Sequence, residues 1–431
     1  MIGGFTDPQG SRTGIGSLLL GVHAEDGSLQ FAGNVGTGFN ERTLTELREK
    51  LGALVTDKSP FVNSRSIAKK AHWVQPKLLA EVSFAEWTQE NRIRHSVFQG
   101  LRDDKPAKAI IREKPRHLAS AGGPTAGAPA TADGAAALPA SLRISNPGRV
   151  IDESTGITKI DLVRYYAKVA PLMMAHLEGR PVAFVRAPEG VKGELFFQKH
   201  LDRGNMPGVE QLDPALYTGH PAMLEVARPE GLLSAAQMNA IELHTWNARK
   251  DRIDRPDRMT FDLDPGEGVA WEQMQEAAEL VHVLLKELDL PAFLKTSGGK
   301  GLHVVVPIKR LHDWDTVKGF SQAVVQHLAR TIPKRFAARS GPRNRVGKIF
   351  VDYLRNGWGA TTVSAWSARS RPGMGISVPV TWAELGKLTG GAHWSIRTVD
   401  ERLRLGNAPW EGYDKAAASI SAAMKRLGYF T

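Results

Sequence analysis

The sequence predicts a small β-barrel followed by a larger α/β domain, with a flexible segment between them. Residues 1–117 contain short apolar runs separated by turn residues, which is typical of a small all-β unit. Residues 118–140 consist almost entirely of Ala, Gly, Pro, Ser and Thr, a composition that cannot bury enough apolar surface to fold. Residues 141–431 alternate between strand-like and helix-like patterns, which indicates an α/β domain large enough for two subdomains.

The first predicted elements form a β-hairpin. Its two apolar runs are separated by Asp26-Gly27, a turn dipeptide that suits tight hairpins because glycine accepts a left-handed backbone. A helix follows, because Leu44, Leu47 and Leu51 recur at the spacing of one helical face. The elements predicted in this part are the strands Gly16–Val22, Leu29–Val35 and Leu79–Phe84 and the helix Glu41–Leu51.

In the larger domain, segments with the hydrophobic period of a helix alternate with segments typical of a strand. Met274, Ala278 and Val281 mark the apolar face of one helix, and strand-like runs precede and follow it. The predicted helices are Ile160–Leu177, Trp271–Leu288 and Asp315–Arg330, and the predicted strands are Met259–Asp264, Leu302–Pro307 and Ile349–Leu354.

Composition excludes several classes of protein. With 42% hydrophobic and 23% charged residues the chain is not globally disordered, and no run approaches the roughly 20 apolar residues of a membrane span. The absence of cysteine excludes disulfides, thiol catalysis and Cys-ligated zinc, and it fits a reducing cytoplasm. A formal net charge of +11 favours a polyanionic partner such as nucleic acid, although a solvated basic surface explains it equally well.

Two of the predicted strands carry carboxylates suited to metal binding. Because side chains alternate along a strand, Asp262 and Asp264 share one face, roughly 6–7 Å apart, while the residues between them face the core. Such carboxylates repel each other unless a cation lies between them, and oxygen ligands suit Mg²⁺ or Mn²⁺. An exposed edge with two solvated acids gives the same pattern. Asp352 strengthens the metal hypothesis, because it is a lone carboxylate in an apolar strand and needs a partner.

A glycine-rich segment lies between these strands. In Thr296–His303 the glycines allow backbone N–H groups to approach an anion, and Ser297, Lys300 and His303 can donate to phosphate oxygens. It is not a Walker A loop, because Lys300 is followed by glycine. Arg369 offers a further guanidinium. Taken singly, these residues also fit a plain strand–turn–strand, a core histidine and a surface arginine. Together with the three carboxylates they indicate nucleotidyl transfer.

The motifs after the linker resemble the polymerase domain of bacterial ligase D, the non-homologous end-joining enzyme, which belongs to the archaeo-eukaryotic primase superfamily. The resemblance runs from about residue 144 to the C-terminus. Its segments, in order, are NPGRV, GITK, YY, GRPV, FFQKH, ELHTWN, TFDLDPGEG, TSGGKGLHV, GKIFVDYLRN and SAWSAR. The resemblance implies a primase-like α/β polymerase domain.

The same resemblance implies roles for individual residues of a polymerase site. Asp262, Asp264 and Asp352 would be the metal ligands. The residues that would bind the nucleotide are Ser297, His303 and Arg369 at the triphosphate with Lys300 and Arg355 nearby, Phe196 and Phe197 stacked on a base, and His244 near the sugar and primer end. The ordinary alternatives are core packing for the two phenylalanines and a position on a helix face for His244.

Arg149 and Lys159 would, by the same resemblance, clamp the 5′-phosphate of the downstream DNA strand. Thr158 is a plausible N-cap, and a helix N-terminus is itself favourable for anions. Some members of the family carry lysine where Arg149 stands, which keeps the charge but replaces fork geometry with a point charge. The alternative is a pair of ordinary surface cations.

The first 117 residues resemble a different part of ligase D, the oligonucleotide-binding (OB) fold half of its ATP-dependent ligase domain. The matching segments are IGGFTDPQGSRTGIGSLLLG, NVGTGF and the stretch from Arg94 to Arg102, which resembles the terminal ligase motif that contacts ATP phosphates. For Arg94 and Arg102 the alternative is a solvated barrel face. No lysine of the chain begins the K-x-D-G motif that self-adenylation requires, so we expect no ligase activity from this chain alone. We expect it to correspond to a C-terminal part of a ligase D, truncated, split or started internally.

The sequence therefore favours metal-dependent extension of a DNA 3′-hydroxyl at double-strand breaks, with release of pyrophosphate. The resemblance implies Mn²⁺ or Mg²⁺, two ions in all, a ribo- or deoxyribonucleoside triphosphate, Ku and DNA ends as partners, and a cytoplasmic, nucleoid-associated location. Two alternatives stay open. One is strand sealing, with the missing adenylation lobe supplied by another chain, and a separate ligase adenylation or nuclease chain is the partner that this alternative implies. The other is a non-catalytic end-binding scaffold, which has no need of three costly carboxylates.

Overall fold

The structure is a computed structural model. It describes residues 1–8, 14–24, 26–37, 39, 41–62, 71–83, 86–87, 92–94, 96–102, 142–201, 206–337 and 345–430. The chain divides into two compact units, Met1–Ala136 and Ala137–Thr431. The predicted linker at 118–140 lies outside the described residues, so its boundaries stay a prediction.

The described residues of the first unit form antiparallel strands and one helix. Its strands are β1 (Ile2–Thr6), β2 (Ser17–His23), β3 (Leu29–Val35), β4 (Val55–Thr56), β5 (Ala71–Val74), β6 (Leu79–Ser83), β7 (Glu86–Trp87), β8 (Ile93–Arg94) and β9 (Val97–Arg102), and its helix is α1 (Glu41–Gly52). The predicted hairpin is β2–β3, and α1 buries Leu44, Leu47 and Leu51 as its spacing predicts. Both local predictions are confirmed.

Barrel closure in this unit is not confirmed. Among the described residues, five strands form one sheet in the order β3-β2-β1-β5-β4, while β6 pairs with β9 and β7 pairs with β8 in separate two-stranded sheets. A barrel requires ladder pairing that joins the ends of these sheets. Within the described part of the unit no such ladder joins them.

The described part of the second unit contains two six-stranded sheets, one two-stranded sheet and helices. Its strands are β10 (Val150–Asp152), β11 (Ile157–Thr158), β12 (Val182–Arg186), β13 (Phe196–Gln198), β14 (Val209–Gln211), β15 (Leu224–Val226), β16 (Ala240–Thr245), β17 (Arg258–Pro265), β18 (Phe293–Thr296), β19 (Leu302–Pro307), β20 (Phe336–Ala337), β21 (Ile349–Asp352), β22 (Thr362–Val363) and β23 (Pro379–Val380). Its helices are α2 (Lys159–Leu177), α3 (Glu230–Gln237), α4 (Trp271–Glu287), α5 (Trp314–Thr331), α6 (Asp400–Leu403) and α7 (Ile420–Leu427).

One sheet has the order β14-β15-β12-β16-β22, with β13 paired to β12, and the other has the order β20-β21-β17-β19-β18-β23. Each sheet has its own hydrophobic core, the first covered by α2 and α3 and the second by α4, α5 and α7. The two cores correspond to the two subdomains that the length of this part allows. No helix among the described residues is long and apolar enough to span a membrane.

Strand β17 lies in the middle of the second sheet and orients the carboxylates. Met259, Phe261 and Leu263 are fully buried in the core beneath α4 and α5, so the alternation of the strand turns Asp262 and Asp264 to the opposite face. Strand β21 ends at Asp352, two residues earlier than predicted. The Asp352 carboxylate accepts the backbone N–H of Leu354 at 2.8 Å, which starts a short 3₁₀ turn there.

Candidate active site

Three neighbouring strands bring the predicted carboxylates together. In the antiparallel register Asp262 of β17 lies directly opposite Asp352 of β21 on one side and opposite His303 of β19 on the other. Asp264 lies two residues further along β17 on the same face, opposite Phe350. The sheet therefore collects two carboxylates and one imidazole in a row across three strands, with a third carboxylate beside them.

The charged groups at this row lie close enough to shift one another's pKa. Arg355 places its Nε 3.6 Å from Asp262 Oδ2 and 3.5 Å from Asp352 Oδ2, and Arg345 lies 3.4 Å from Asp264 Oδ2. Burial alone would raise the pKa of Asp262, but the hydrogen bond from His303 and the charges of Arg355 and Arg369 lower it well below its usual range. Desolvation and the negative charges of Asp262 and Asp352 raise the pKa of Asp264 to about 7. The repulsion among the three carboxylates therefore falls mainly on Asp264.

The donor chemistry of this row fits a hard divalent cation. Carboxylate oxygens are the ligands that Mg²⁺ and Mn²⁺ prefer, and a cation between Asp264 and its neighbours would remove the repulsion that raises its pKa. No group of three His, Asp or Glu side chains in the described part of the chain already forms a preassembled metal site. Arg355 lies beside Asp262 and Asp352 instead. The assignment of Asp262, Asp264 and Asp352 as metal ligands therefore stays a prediction.

His303 is buried at 3% exposure, with its Nε2 3.2 Å from Asp262 Oδ1. Burial and the nearby charge of Lys295 lower the pKa of His303 to about 4, so the imidazole is neutral and Nε2–H donates to the carboxylate. Its Nδ1 is buried without a hydrogen-bond partner among the described residues. His303 is therefore not the fully satisfied core histidine that was the ordinary alternative.

The glycine-rich loop between β18 and β19 differs from its expected arrangement. The Ser297 hydroxyl accepts the N–H groups of Gly299 and Gly301, each at 3.1 Å, and Gly298 N–H donates to the carbonyl of Gly391 at 2.8 Å. Three amides that glycine was expected to offer to an anion are thus used within the protein. The side-chain donors left for phosphate at this loop include the Ser297 hydroxyl proton and the exposed Lys300.

Arg369 reaches the loop from another part of the fold. Its Nη1 donates to the carbonyl of Ser297 at 2.8 Å, and its Nε donates to Glu242 Oε2 at 3.0 Å. The same Glu242 oxygen lies 2.7 Å from His244 Nε2. His244 stands on strand β16 rather than on a helix, and its ring meets Phe197 edge-on at 5.8 Å between centroids. A chain of contacts therefore runs from the glycine-rich loop to Phe197.

Glu242 is the site residue that sequence reasoning missed. It is 5% exposed and also accepts the backbone N–H of Ser370, at 2.7 Å. Burial alone would raise the pKa of Glu242, but the hydrogen bonds and charges of its neighbours lower it to about 2. A signal existed, because Glu242 and His244 are two positions apart on a strand and share a face.

The two predicted stacking residues lie on the edge strand β13. Phe196 is 39% exposed, which argues against core packing, and Phe197 is half-buried with Lys199 Nζ 5.5 Å from its ring centroid. The exposed ring of Phe196 offers a surface on which a nucleic-acid base can stack.

Arg149 and Lys159 lie together at the start of α2. The backbone N–H of Lys159 donates to the carbonyl of Arg149 at 2.9 Å, and Lys159 Nζ donates to the carbonyl of Ser145 at 3.0 Å. Burial and the neighbouring charge of Arg149 lower the pKa of Lys159. Thr158 precedes the helix, and its N–H and hydroxyl both donate to Asp161. The structure brings the two cations together, while the side chains of Arg94 and Arg102 lie outside the described residues.

Comparison with known proteins adds independent observations. Residues 158–410 match the family model of the LigD primase-polymerase domain, and residues 11–105 match that of the C terminal region of ATP dependent DNA ligases. The multifunctional non-homologous end joining protein LigD of Pseudomonas aeruginosa is 48% identical over 99% of this chain and 51% of its own length. The LigD protein of Mycolicibacterium smegmatis is 34% identical over 57% of this chain and 32% of its own length. The chain thus spans about half the length, or less, of these curated relatives.

A solved structure is also similar to the second unit. The polymerase domain of Mycobacterium tuberculosis ligase D in complex with DNA aligns with a TM-score of 0.59 and 31% identity, covering 64% of this chain and 99% of that one.

Proposed function

The chain belongs to the LigD primase-polymerase family, and from that premise we propose that it is a metal-dependent nucleotidyltransferase that adds nucleotides to DNA 3′-hydroxyls. The reaction joins the 3′-hydroxyl oxygen to the α-phosphorus of a nucleoside triphosphate and releases pyrophosphate. The observation that carries the proposal is the placement of Asp262 directly opposite Asp352 and His303, with Asp264 beside it.

Each part of the site has a task in this reaction. Asp262, Asp264 and Asp352 would hold one or two Mg²⁺ or Mn²⁺ ions. Bound there, such ions supply Lewis-acid chemistry that favours ionisation of the 3′-hydroxyl and neutralises charge on the phosphates. The residues proposed to bind the nucleotide are Ser297, His303 and Arg369 at the triphosphate, Lys300 and Arg355 nearby, Phe196 and Phe197 at a base, and His244 at the sugar.

The chain's own side chains position the nucleotide for attack. Arg369 is held by Glu242 and by the Ser297 carbonyl, so its guanidinium is fixed beside the loop before the nucleotide arrives. Fixed donors need no reorganisation during the reaction, which favours the transition state. No side chain is proposed as the base that accepts the proton of the 3′-hydroxyl.

DNA ends are the proposed substrate, and non-homologous end joining is the proposed setting. Arg149 and Lys159 would bind a 5′-phosphate, which carries more charge than an internal diester. The relative whose structure was solved is a polymerase domain in complex with DNA, which supports this proposal. Ku, a separate ligase or nuclease chain, and a cytoplasmic, nucleoid-associated location belong to the same proposal.

A second candidate role concerns the first unit. The match of residues 11–105 to the C terminal region of ATP dependent DNA ligases supports an OB-fold that completes a ligase domain. Arg94 and Arg102 would then contact ATP phosphates when an adenylation lobe is supplied by another chain. The alternative of a non-catalytic scaffold is weaker, because it leaves the three carboxylates unexplained.

A primer-extension assay tests the main proposal. The chain is mixed with a gapped, 5′-phosphorylated DNA and with ribo- or deoxyribonucleoside triphosphates, in Mg²⁺, in Mn²⁺ or in excess chelator. We expect the primer to grow with a divalent ion and to stay unchanged with chelator. No extension under any of these conditions would contradict the proposal.

A further inference from the structure

The buried carboxylate of Glu242 joins two residues of the proposed nucleotide site. Its Oε2 accepts from Arg369 Nε at 3.0 Å and lies 2.7 Å from His244 Nε2, and its Oε1 accepts from Ser370 N–H at 2.7 Å. The three groups come from strand β16 and from a loop more than 120 residues away in sequence. One side chain thus holds two separate parts of the site in register.

All three neighbours of Glu242 are donors. The carboxylate is ionised, since its pKa is lowered to about 2, and an ionised carboxylate only accepts hydrogen bonds. Burial keeps the pKa of His244 below its usual value, so the ring carries a single proton. That proton must lie on Nε2, where it meets Glu242. The other ring nitrogen, Nδ1, is left as an acceptor.

This arrangement determines which kind of ligand group can form a hydrogen bond with Nδ1. A lone pair repels the oxygens of a phosphate, which are themselves acceptors, and it attracts a hydroxyl or amine hydrogen. The hydrogen bond that the His244 ring makes to Glu242 runs through Nε2 and leaves Nδ1 out. The His244 ring lies beside the edge of Phe197, the proposed base-stacking residue, where the sugar of a bound nucleotide would be near.

We infer that Glu242 is a positioning residue that makes His244 a hydrogen-bond acceptor for a hydroxyl of the nucleotide sugar while it holds Arg369 at the glycine-rich loop. The inference rests on the proposed function and deepens it. It assigns the recognised chemical group, a sugar hydroxyl, to one ring nitrogen, and it traces that preference to a residue that does not touch the nucleotide.

Glu242→Gln is the informative substitution because it keeps the shape and changes the pattern of acceptors. The amide has one acceptor oxygen and one donor nitrogen, which cannot satisfy three donors. Of the three donors only His244 can become an acceptor, because the protons of Arg369 Nε and of the Ser370 N–H are fixed. We therefore expect the amide nitrogen to take the position of Oε2, where His244 moves its proton to Nδ1 and Nε2 accepts from the amide, while Arg369 Nε loses its acceptor. Nδ1 then becomes a donor, and the preference for a donating hydroxyl is lost.

Glu225→Gln is the matched control. Glu225 is equally buried, at 5% exposure, and lies on β15 of the same sheet. It accepts from Gly179 N–H at 3.0 Å and from Lys250 at 2.5 Å. It makes no contact with His244 or Arg369 in the described structure. If removing a buried charge from this sheet has only a structural effect, Glu225→Gln and Glu242→Gln should both show it.

The first measurement is the tautomer of His244 in the full chain. Two-bond ¹H–¹⁵N spectra of ¹⁵N-histidine-labelled protein distinguish protonated from bare ring nitrogens, and His244→Gln identifies the signal among the 13 histidines. We expect a proton on Nε2 in the wild type and in Glu225→Gln, and a proton on Nδ1 in Glu242→Gln. A proton on Nδ1 in the wild type, or the same tautomer in all three proteins, would overturn the inference.

The second measurement compares single-nucleotide extension with a ribonucleoside triphosphate and its 2′-deoxy and 3′-deoxy analogues. Loss of one hydrogen bond predicts that the preference of the wild type for one of the hydroxyls falls by about 2- to 10-fold in Glu242→Gln, mainly through KM. Glu225→Gln should keep the wild-type preference. Equal preference in both variants contradicts the inference. If the wild type itself extends no primer, the proposed function fails, and the tautomer measurement still tests Glu242.

Discussion

Substitution of Asp257 by asparagine should destabilise the second unit far more than the same change at Asp251. Both aspartates form two-point pairs with an arginine: Asp257 with Arg180 at 2.7 Å for both bonds, and Asp251 with Arg310 at 2.7 and 2.8 Å. They differ in burial. The Arg180 and Asp257 side chains are 4% and 15% exposed, whereas Asp251 is 63% exposed.

The expected magnitudes follow from that difference. Asp257→Asn leaves the buried Arg180 without its counter-ion, close to the charges of Arg258 and Arg249, and an uncompensated buried charge costs about 3–5 kcal/mol. Asp251→Asn removes a solvated pair, which costs about 0–1 kcal/mol. For an m-value near 3 kcal/mol/M, the first change lowers the urea midpoint by about 1–2 M and the second by no more than about 0.3 M.

Tryptophan fluorescence during urea unfolding is a suitable assay. Two of the ten tryptophans, Trp73 and Trp87, belong to the first unit, so the remaining eight report on the second. Equal midpoints for Asp257→Asn and Asp251→Asn would refute the reasoning, because it attributes the whole difference to burial.

The pH dependence gives a second check on the same pair. Burial would raise the pKa of Asp257, but the charges of Arg180, Arg258 and Arg249 lower it. A carboxylate whose pKa is lower in the folded than in the unfolded state stabilises the fold at pH values above its ordinary pKa of about 3.9. This stabilisation is lost as the pH falls through the lowered pKa of the folded state. The difference in stability between the wild type and Asp257→Asn should therefore shrink below about pH 4. A difference that grows on acidification would contradict the assignment.

Three further predictions concern function. The double variant Arg149→Ala/Lys159→Ala should bind gapped DNA equally well with and without a 5′-phosphate. The wild type should prefer the phosphorylated DNA by about 1.5–3 kcal/mol per contact, less where water screens the charges. If the double variant still discriminates in a binding titration, the phosphate contact lies elsewhere. Incubated with labelled ATP and Mg²⁺, the chain alone should form no covalent adenylate, because K-x-D-G is absent, and a stable protein–AMP adduct would disprove this. Gly391→Ala should raise the KM for nucleotide, because a Cβ there would lie 2.4 Å from the carbonyl oxygen of Gly301. Gly386→Ala is the control and should leave KM unchanged, because a Cβ there meets nothing within 4 Å. Equal KM values for the two variants would show that the contact between the loops is unimportant.

Local patterns were sufficient to predict the strand that carries the carboxylates. The alternation of apolar and acidic residues in β17 fixes which face is buried, and the structure has the same faces. The helices α2, α4 and α5 begin and end within one or two residues of their predicted bounds, because their apolar stripes are long and regular.

What the sequence could not reveal depends on contacts between distant residues. Glu242 gains its role from Arg369 and Ser370, more than 120 residues away. The glycine-rich loop was expected to present its amides to an anion, but the hydroxyl of Ser297 and the carbonyl of Gly391 use three of them. Periodicity and composition carry no information on such pairings.

The central claim is that the carboxylates on β17 and β21 carry nucleotide addition. Its most direct test is primer extension by Asp262→Ala and by Asp352→Ala, with Asp251→Asn as an exposed control and DNA binding measured in parallel. Loss of a metal ligand removes several kcal/mol of transition-state stabilisation, so we predict that extension falls by on the order of 10³-fold or more in both alanine variants while DNA binding persists. Substantial extension by either variant would contradict the account.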